Sequence, residues 1–122
     1  MKTEEIIKLV PKVQLHDHLD GGLRPQTVIE LAQDIKYKKL PTTDAAELGE
    51  WFFRGANKGN LIEYLQGFEH TCAVMSTKEA LERVAFETIE DMYNDGVCYI
   101  ETRFAPVFHT NKNLYHDDVI NA

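Results

Sequence analysis

Long hydrophobic runs are missing from this chain, and so is any excess of positive charge. No stretch of about 18 apolar residues occurs, so nothing in it reads as a membrane span. Its 13 Lys and Arg stand against 20 Asp and Glu, a net charge of −7. A nucleic-acid binder carries a basic face, and an amphipathic membrane anchor a basic stripe. Neither is present, so no nucleic-acid and no membrane partner is expected. The opening stretch MKTEEIIKLVPK has no apolar centre and carries Glu4 and Glu5, so it does not read as a secretory signal. Cysteine is scarce. Cys72 and Cys98 stand alone, without metal or redox spacing, and are expected to be reduced, mostly buried thiols of a cytoplasmic protein. Low-complexity tracts and internal repeats are also lacking. What remains is a chain of 122 residues that is 43% apolar, enough for the core of one ordinary domain.

The pattern of apolar residues divides the chain into alternating strands and helices. Residues 4–10 read as a short helix stopped before Pro11. From Lys12 to Leu19 the residues alternate: Val13, Leu15 and Leu19 on one side, Gln14, His16, His18 and Asp20 on the other. That period of two predicts a strand, its apolar side covered by helices. Gly21 and Gly22 allow a tight turn, and Pro25 suits the first turn of a helix that carries Val28, Ile29, Leu31, Ala32 and Ile35. The region from Pro41 to Asn60 is weakly patterned, with one or two helical turns expected within residues 45–53. Asn60 caps the next helix. Residues 76–79, STKE, read as a capping box before a long amphipathic helix that ends at Gly96. Val97 to Phe104 predicts a second strand, stopped by Pro106.

The order strand, helix, excursion, helix, strand predicts a parallel α/β sheet. Two strands cannot close a barrel, and a (β/α)8 barrel takes about 250 residues. The chain therefore reads as one piece, residues 1–122, of a larger fold.

The chemistry concentrates in the stretch LHDHLDGG. Residues i and i+2 of a strand stand on one face about 6.6 Å apart, close enough for two imidazoles to lean onto one metal. His16 and His18 would then supply half of a zinc site at a strand's carboxyl end, where barrel active sites are built. An H-x-H pair on an exposed strand face needs no ligand, and catalytic zinc ordinarily takes three protein ligands. Spacing alone leaves both readings open.

The segment PKVQLHDHLDGGLRPQTVIELA resembles the opening motif of the adenosine deaminase family. ALERVAFETIEDMYNDGVCYIETRFAP is similar to that family's second-strand region, with Glu101, Arg103 and Pro106 matching its E-x-R-x-x-P pattern. The resemblance implies a zinc-dependent (β/α)8 barrel that hydrolyses adenosine and 2′-deoxyadenosine to inosine and ammonia, a purine-salvage reaction on a small purine nucleoside. It implies Zn2+ as cofactor, with His16 and His18 as two of its ligands, His18 beside the nucleoside, and Asp20 hydrogen-bonded to the ribose. It implies a hydrophobic lid from Leu61, Tyr64, Leu65 and Phe68, although such a stripe is ordinarily core. Glu101 and Arg103 read as an internal ion pair. Asp17 departs from the usual apolar residue at its position. His70, His109 and His116 match no family site and read as surface or loop residues.

The rest of that family's machinery comes from later strands, so no catalytic group proper is expected within this chain, and the 122-residue chain alone is expected to be inactive. Other readings are a deaminase of a related purine such as adenine, another H-x-H hydrolase barrel, and a non-catalytic interaction module. The bare strands predict that the piece self-associates.

Overall fold

A computed structural model describes residues 2–111 and 113–122. The elements run α1 (Thr3–Leu9), β1 (Lys12–His18), α2 (Pro25–Asp34), α3 (Ala45–Ala56), α4 (Leu61–Val74), α5 (Lys78–Asn94), β2 (Val97–Arg103) and α6 (His116–Ile120). Two short 3-10 turns, Leu19–Gly21 and Pro106–His109, follow β1 and β2. No helix among the described residues is long and apolar enough to cross a membrane.

The helix starts follow from local chemistry. Asp44 accepts the Glu47 N–H at 2.9 Å, Asn60 accepts the Ile62 N–H at 2.9 Å, and Thr77 accepts the Ala80 N–H at 3.1 Å. Each satisfies a first-turn donor that has no partner inside its own helix. Gly96 closes α5 at φ 80°, a left-handed conformation that costs glycine little.

Strands β1 and β2 pair in parallel, with His18 opposite Arg103, so both strands end at the same side of the molecule. This is the N-terminal part of a (β/α)8 barrel: two parallel strands with the helices that connect them. The core lies wholly outside the strands. Val28, Leu48, Val74, Met75 and Val84 are buried, joined by Leu19 from the turn after β1. Polar contacts tie α2 to α5. The Thr27 hydroxyl donates to Glu87 at 2.6 Å, Arg83 reaches Glu30 at 2.7 Å, and Arg24 forks onto Asp91.

Several expectations change. The weakly patterned region holds a full helix, α3, because Asp44 caps it and Leu48 and Phe52 pack inward. The apolar side of β1 has no helical cover among the described residues, leaving Val13 55% and Leu15 59% exposed. Cys98 is exposed rather than buried, and Cys72 is half-buried. Tyr99 lies 53% exposed beside it, since β2 has a neighbour on only one edge. Ile89 and Tyr93 of α5 are also exposed.

Candidate active site

The two turns at the carboxyl ends of β1 and β2 bring together residues that lie about ninety positions apart. His16 and His18 stand on the same face of β1, with their Nε2 atoms 3.2 Å apart. Two nitrogens bound at about 2.0–2.1 Å to one tetrahedral zinc lie about 3.3 Å from each other. The pair therefore fits two positions of such a site. A single shared proton would also hold the rings at this distance. Both side chains face outward, and that of His18 is 51% exposed.

Asp20 behaves differently. Leu19 turns into the core and drags the next residue with it, so the Asp20 side chain is only 6% exposed. Its Oδ1 lies 3.8 Å from His18 Nδ1 and has no hydrogen-bond partner among the described residues. Its Oδ2 lies 3.9 Å from His109 Nε2 and 4.0 Å from Cys72 Sγ. Burial, and then the Asp20 charge, push the Cys72 thiol up to about 11. Burial also pulls His109 below the ordinary imidazole range, against the opposing pull of Asp20 and the Met75 backbone.

Asp20, Cys72 and His109 form a candidate metal-binding group, with donor atoms all within 4.8 Å of one another. Donors on one zinc, at bond lengths of about 2.0–2.3 Å, sit closer than these separations. The His16–His18 pair meets that spacing as it stands.

A cavity of about 410 Å³ opens beside these groups, lined by His18, Asp20, Tyr64, Leu65, Phe68 and Cys72 with residues from the end of β2 and the segment that follows it. Phe68 meets the His18 ring edge-on at 6.4 Å, and Tyr64 meets Phe68 at 5.5 Å. Gly21 permits this closure. A Cβ there would come within 3.0 Å of the Phe68 ring. Three of the four expected lid residues thus face the cavity. Leu61 does not line it and is 69% exposed, one turn too early along α4.

Three other readings are corrected. Glu101 and Arg103 do not pair: Glu101 accepts the Tyr99 hydroxyl at 2.8 Å, and Arg103 donates to the Leu15 carbonyl at 3.3 Å from the cavity wall. His109 is not a surface residue but is 2% exposed, because the turn that starts at Pro106 folds it under Phe104. His70 is part of α4, with Nδ1 2.9 Å from the Tyr37 hydroxyl. Asp17 lies opposite Thr102 in the ladder, within 3.5 Å of its hydroxyl. His116 is exposed, as expected. Sequence reasoning missed His109, Cys72, Phe104 and Phe108 at this site. The one signal for His109 was its place three residues after Pro106, in the loop that follows a barrel strand.

A family model described as adenosine deaminase matches residues 11–122. The chain belongs to the adenosine deaminase family. An adenosine deaminase of Mycobacterium ulcerans is 51% identical over 122 residues, all of this chain and 34% of that protein. Adenosine deaminase 1 of Streptomyces coelicolor is 53% identical over 116 residues, 95% of this chain and 29% of that protein. The chain thus spans about a third of the length of the curated relatives it matches. Among solved structures, an Arabidopsis N6-mAMP deaminase superposes with a TM-score of 0.72 at 23% identity, covering 96% of this chain and 34% of that one. At that identity the likeness speaks for the fold.

Proposed function

We propose that the complete chain to which this segment belongs, of the length its relatives have, hydrolyses adenosine and 2′-deoxyadenosine to inosine and ammonia. The observation that carries this reading is the 3.2 Å approach of His16 Nε2 and His18 Nε2 at the carboxyl end of a parallel strand, in a chain half identical to named adenosine deaminases. His16 and His18 would hold a zinc ion through their ring nitrogens, with further ligands from other strands. That ion, when bound, supplies an activated water and a Lewis acid at neutral pH.

The remaining work falls to groups of this chain. Asp20 accepts a hydrogen bond from a sugar hydroxyl. Its buried carboxylate suits a neutral donor and repels a phosphate, which favours a nucleoside over a nucleotide. The Arabidopsis neighbours complexed with IMP and GMP differ from this chain at about three residues in four, so their ligands do not carry over directly. Tyr64, Leu65 and Phe68 cover the purine and exclude water, which strengthens every polar interaction beneath them. Purine salvage in the cytoplasm is the setting this chemistry suits.

Initial rates of the complete chain on adenosine, adenine and adenosine 5′-monophosphate test the reading. A clear preference for adenosine is expected. A preference for adenine would remove the sugar contact, and a preference for the monophosphate would remove the argument from Asp20.

A further inference from the structure

His109 is the most deeply buried ionisable side chain at the site, with 0% of its side chain exposed; among the described residues neither ring nitrogen makes a well-formed hydrogen bond, and the Met75 backbone is the other polar group that acts on it besides Asp20. Burying an imidazole with so little hydrogen bonding is costly, and native proteins seldom leave such a group without purpose. The ring is held in place. It follows the turn that begins at Pro106 and packs against Phe104 with centroids 5.7 Å apart. Its Nε2 faces Asp20 Oδ2 across 3.9 Å, less than an ångström beyond hydrogen-bond reach. The two oxygens of Asp20 are thereby divided. Oδ2 lies toward His109 and the Cys72 thiol, while Oδ1 lies toward His18 and is unpartnered.

We infer that His109 is a positioning residue for Asp20: its Nε2–H takes Oδ2 and so fixes the carboxylate with Oδ1 turned to a hydroxyl of the nucleoside's sugar. The inference rests on the reading of Asp20 as the sugar anchor. Because burial keeps the ring neutral, it has one N–H to give, and the Asp20 charge acts on it more strongly than the Met75 backbone does. Asp20 is the strongest acceptor near it, and a carboxylate already tethered at one oxygen binds with less ordering left to do. His109 touches no reacting atom, so its loss should be felt in substrate affinity and not in the chemical step.

The test uses the complete deaminase chain and three substrates: adenosine, 3′-deoxyadenosine and 5′-deoxyadenosine. The 2′-hydroxyl is set aside because 2′-deoxyadenosine is an expected substrate. Asp20→Ala first identifies the hydroxyl that Asp20 reads, as the analogue on which this variant has no effect. His109→Leu should then raise KM for adenosine about tenfold with kcat within about twofold, the size of one lost hydrogen bond. It should have no effect on that same analogue, and should add nothing in the Asp20→Ala background. His109→Gln, whose amide reaches the Nε2 position, should restore KM, and His109→Asn, which reaches only Nδ1, should not.

If Asp20→Ala shows the hydroxyl dependence and His109→Leu lowers kcat on all three substrates alike, the positioning role is overturned and the Asp20 reading stands. If Asp20→Ala shows no hydroxyl dependence, the Asp20 reading falls and takes the inference with it. Should His109→Leu fail to fold, the amide pair decides: equal KM for His109→Gln and His109→Asn overturns the inference, and recovery in His109→Gln alone upholds it.

Discussion

Helices α2 to α5 each contribute buried side chains to one shared core, whereas strands β1 and β2 contribute none. Val28, Leu48 and Val74 are fully buried, while Val13 and Leu15 are more than half exposed. The difference is one of partners. A helix meets its neighbours on one stripe, and the chain supplies four helices that share a core. A barrel strand needs a hydrogen-bonded neighbour on each edge and a packed layer on each face, and here it has one neighbour. The site lies on the border between these regions. Asp20 and His109 belong to the closed side, and His16 and His18 to the open side. On the proposed reading, the sugar end of the site would be assembled within this chain, and the metal end would need ligands from other strands.

The largest break in that comparison comes at the open side. His16→Ala in the complete chain should cost more than the roughly 10–100-fold in metal affinity or activity typical of a group that only supports a ligand. Zinc content after dialysis and turnover measure it. Full zinc occupancy with normal turnover would remove His16 from the ligand set.

On the closed side, Leu48→Ala should destabilise the protein by about 2–5 kcal/mol, the usual result of emptying a fully buried leucine site. Denaturant unfolding followed by circular dichroism reads it. A loss below about 1 kcal/mol would mean that α3 is not part of the closed layer.

The smallest effect on stability, and the clearest on association, is expected from Leu15→Lys. The exposed apolar row on β1 and the unpaired strand edges should drive the 122-residue chain to self-associate, and a charge there should oppose it. Light scattering across a concentration series should show oligomers that Leu15→Lys disperses, with unfolding free energy changed by less than about 0.5 kcal/mol. A monomer before substitution would show that the strand pair satisfies its own edges.

The sequence was most legible where the signal was local. Pro25, Asn60 and Gly96 mark helix ends by their own chemistry, and the structure places ends at each; the capping box read over residues 76–79 falls one residue early, because Thr77 and not Ser76 caps α5. The alternation from Lys12 to His18 gave a strand with both histidines on one face. Region 41–60 was hard to read because Gly49 and Gly55 weaken its helical pattern. Their use appears only in three dimensions: a Cβ on Gly49 would press on Pro25 at 3.4 Å. Burial of His109 could not be read either. It depends on the turn after β2 meeting the one after β1, and beyond its place three residues after Pro106 nothing in the sequence announces it. The exposure of Cys98 was misjudged for the opposite reason. Its strand has the composition of an interior one, and the neighbours that would make it so are not among the described residues.

The most direct measurement compares zinc binding and adenosine turnover in the 122-residue chain and in the complete chain, each purified free of host deaminase. The complete chain should hold one zinc and release ammonia from adenosine. The 122-residue chain, with two ligands on its open side, should bind zinc weakly and show no turnover. Tight one-to-one zinc binding with deamination by the 122-residue chain alone would contradict the view that only the sugar end of the site is complete here.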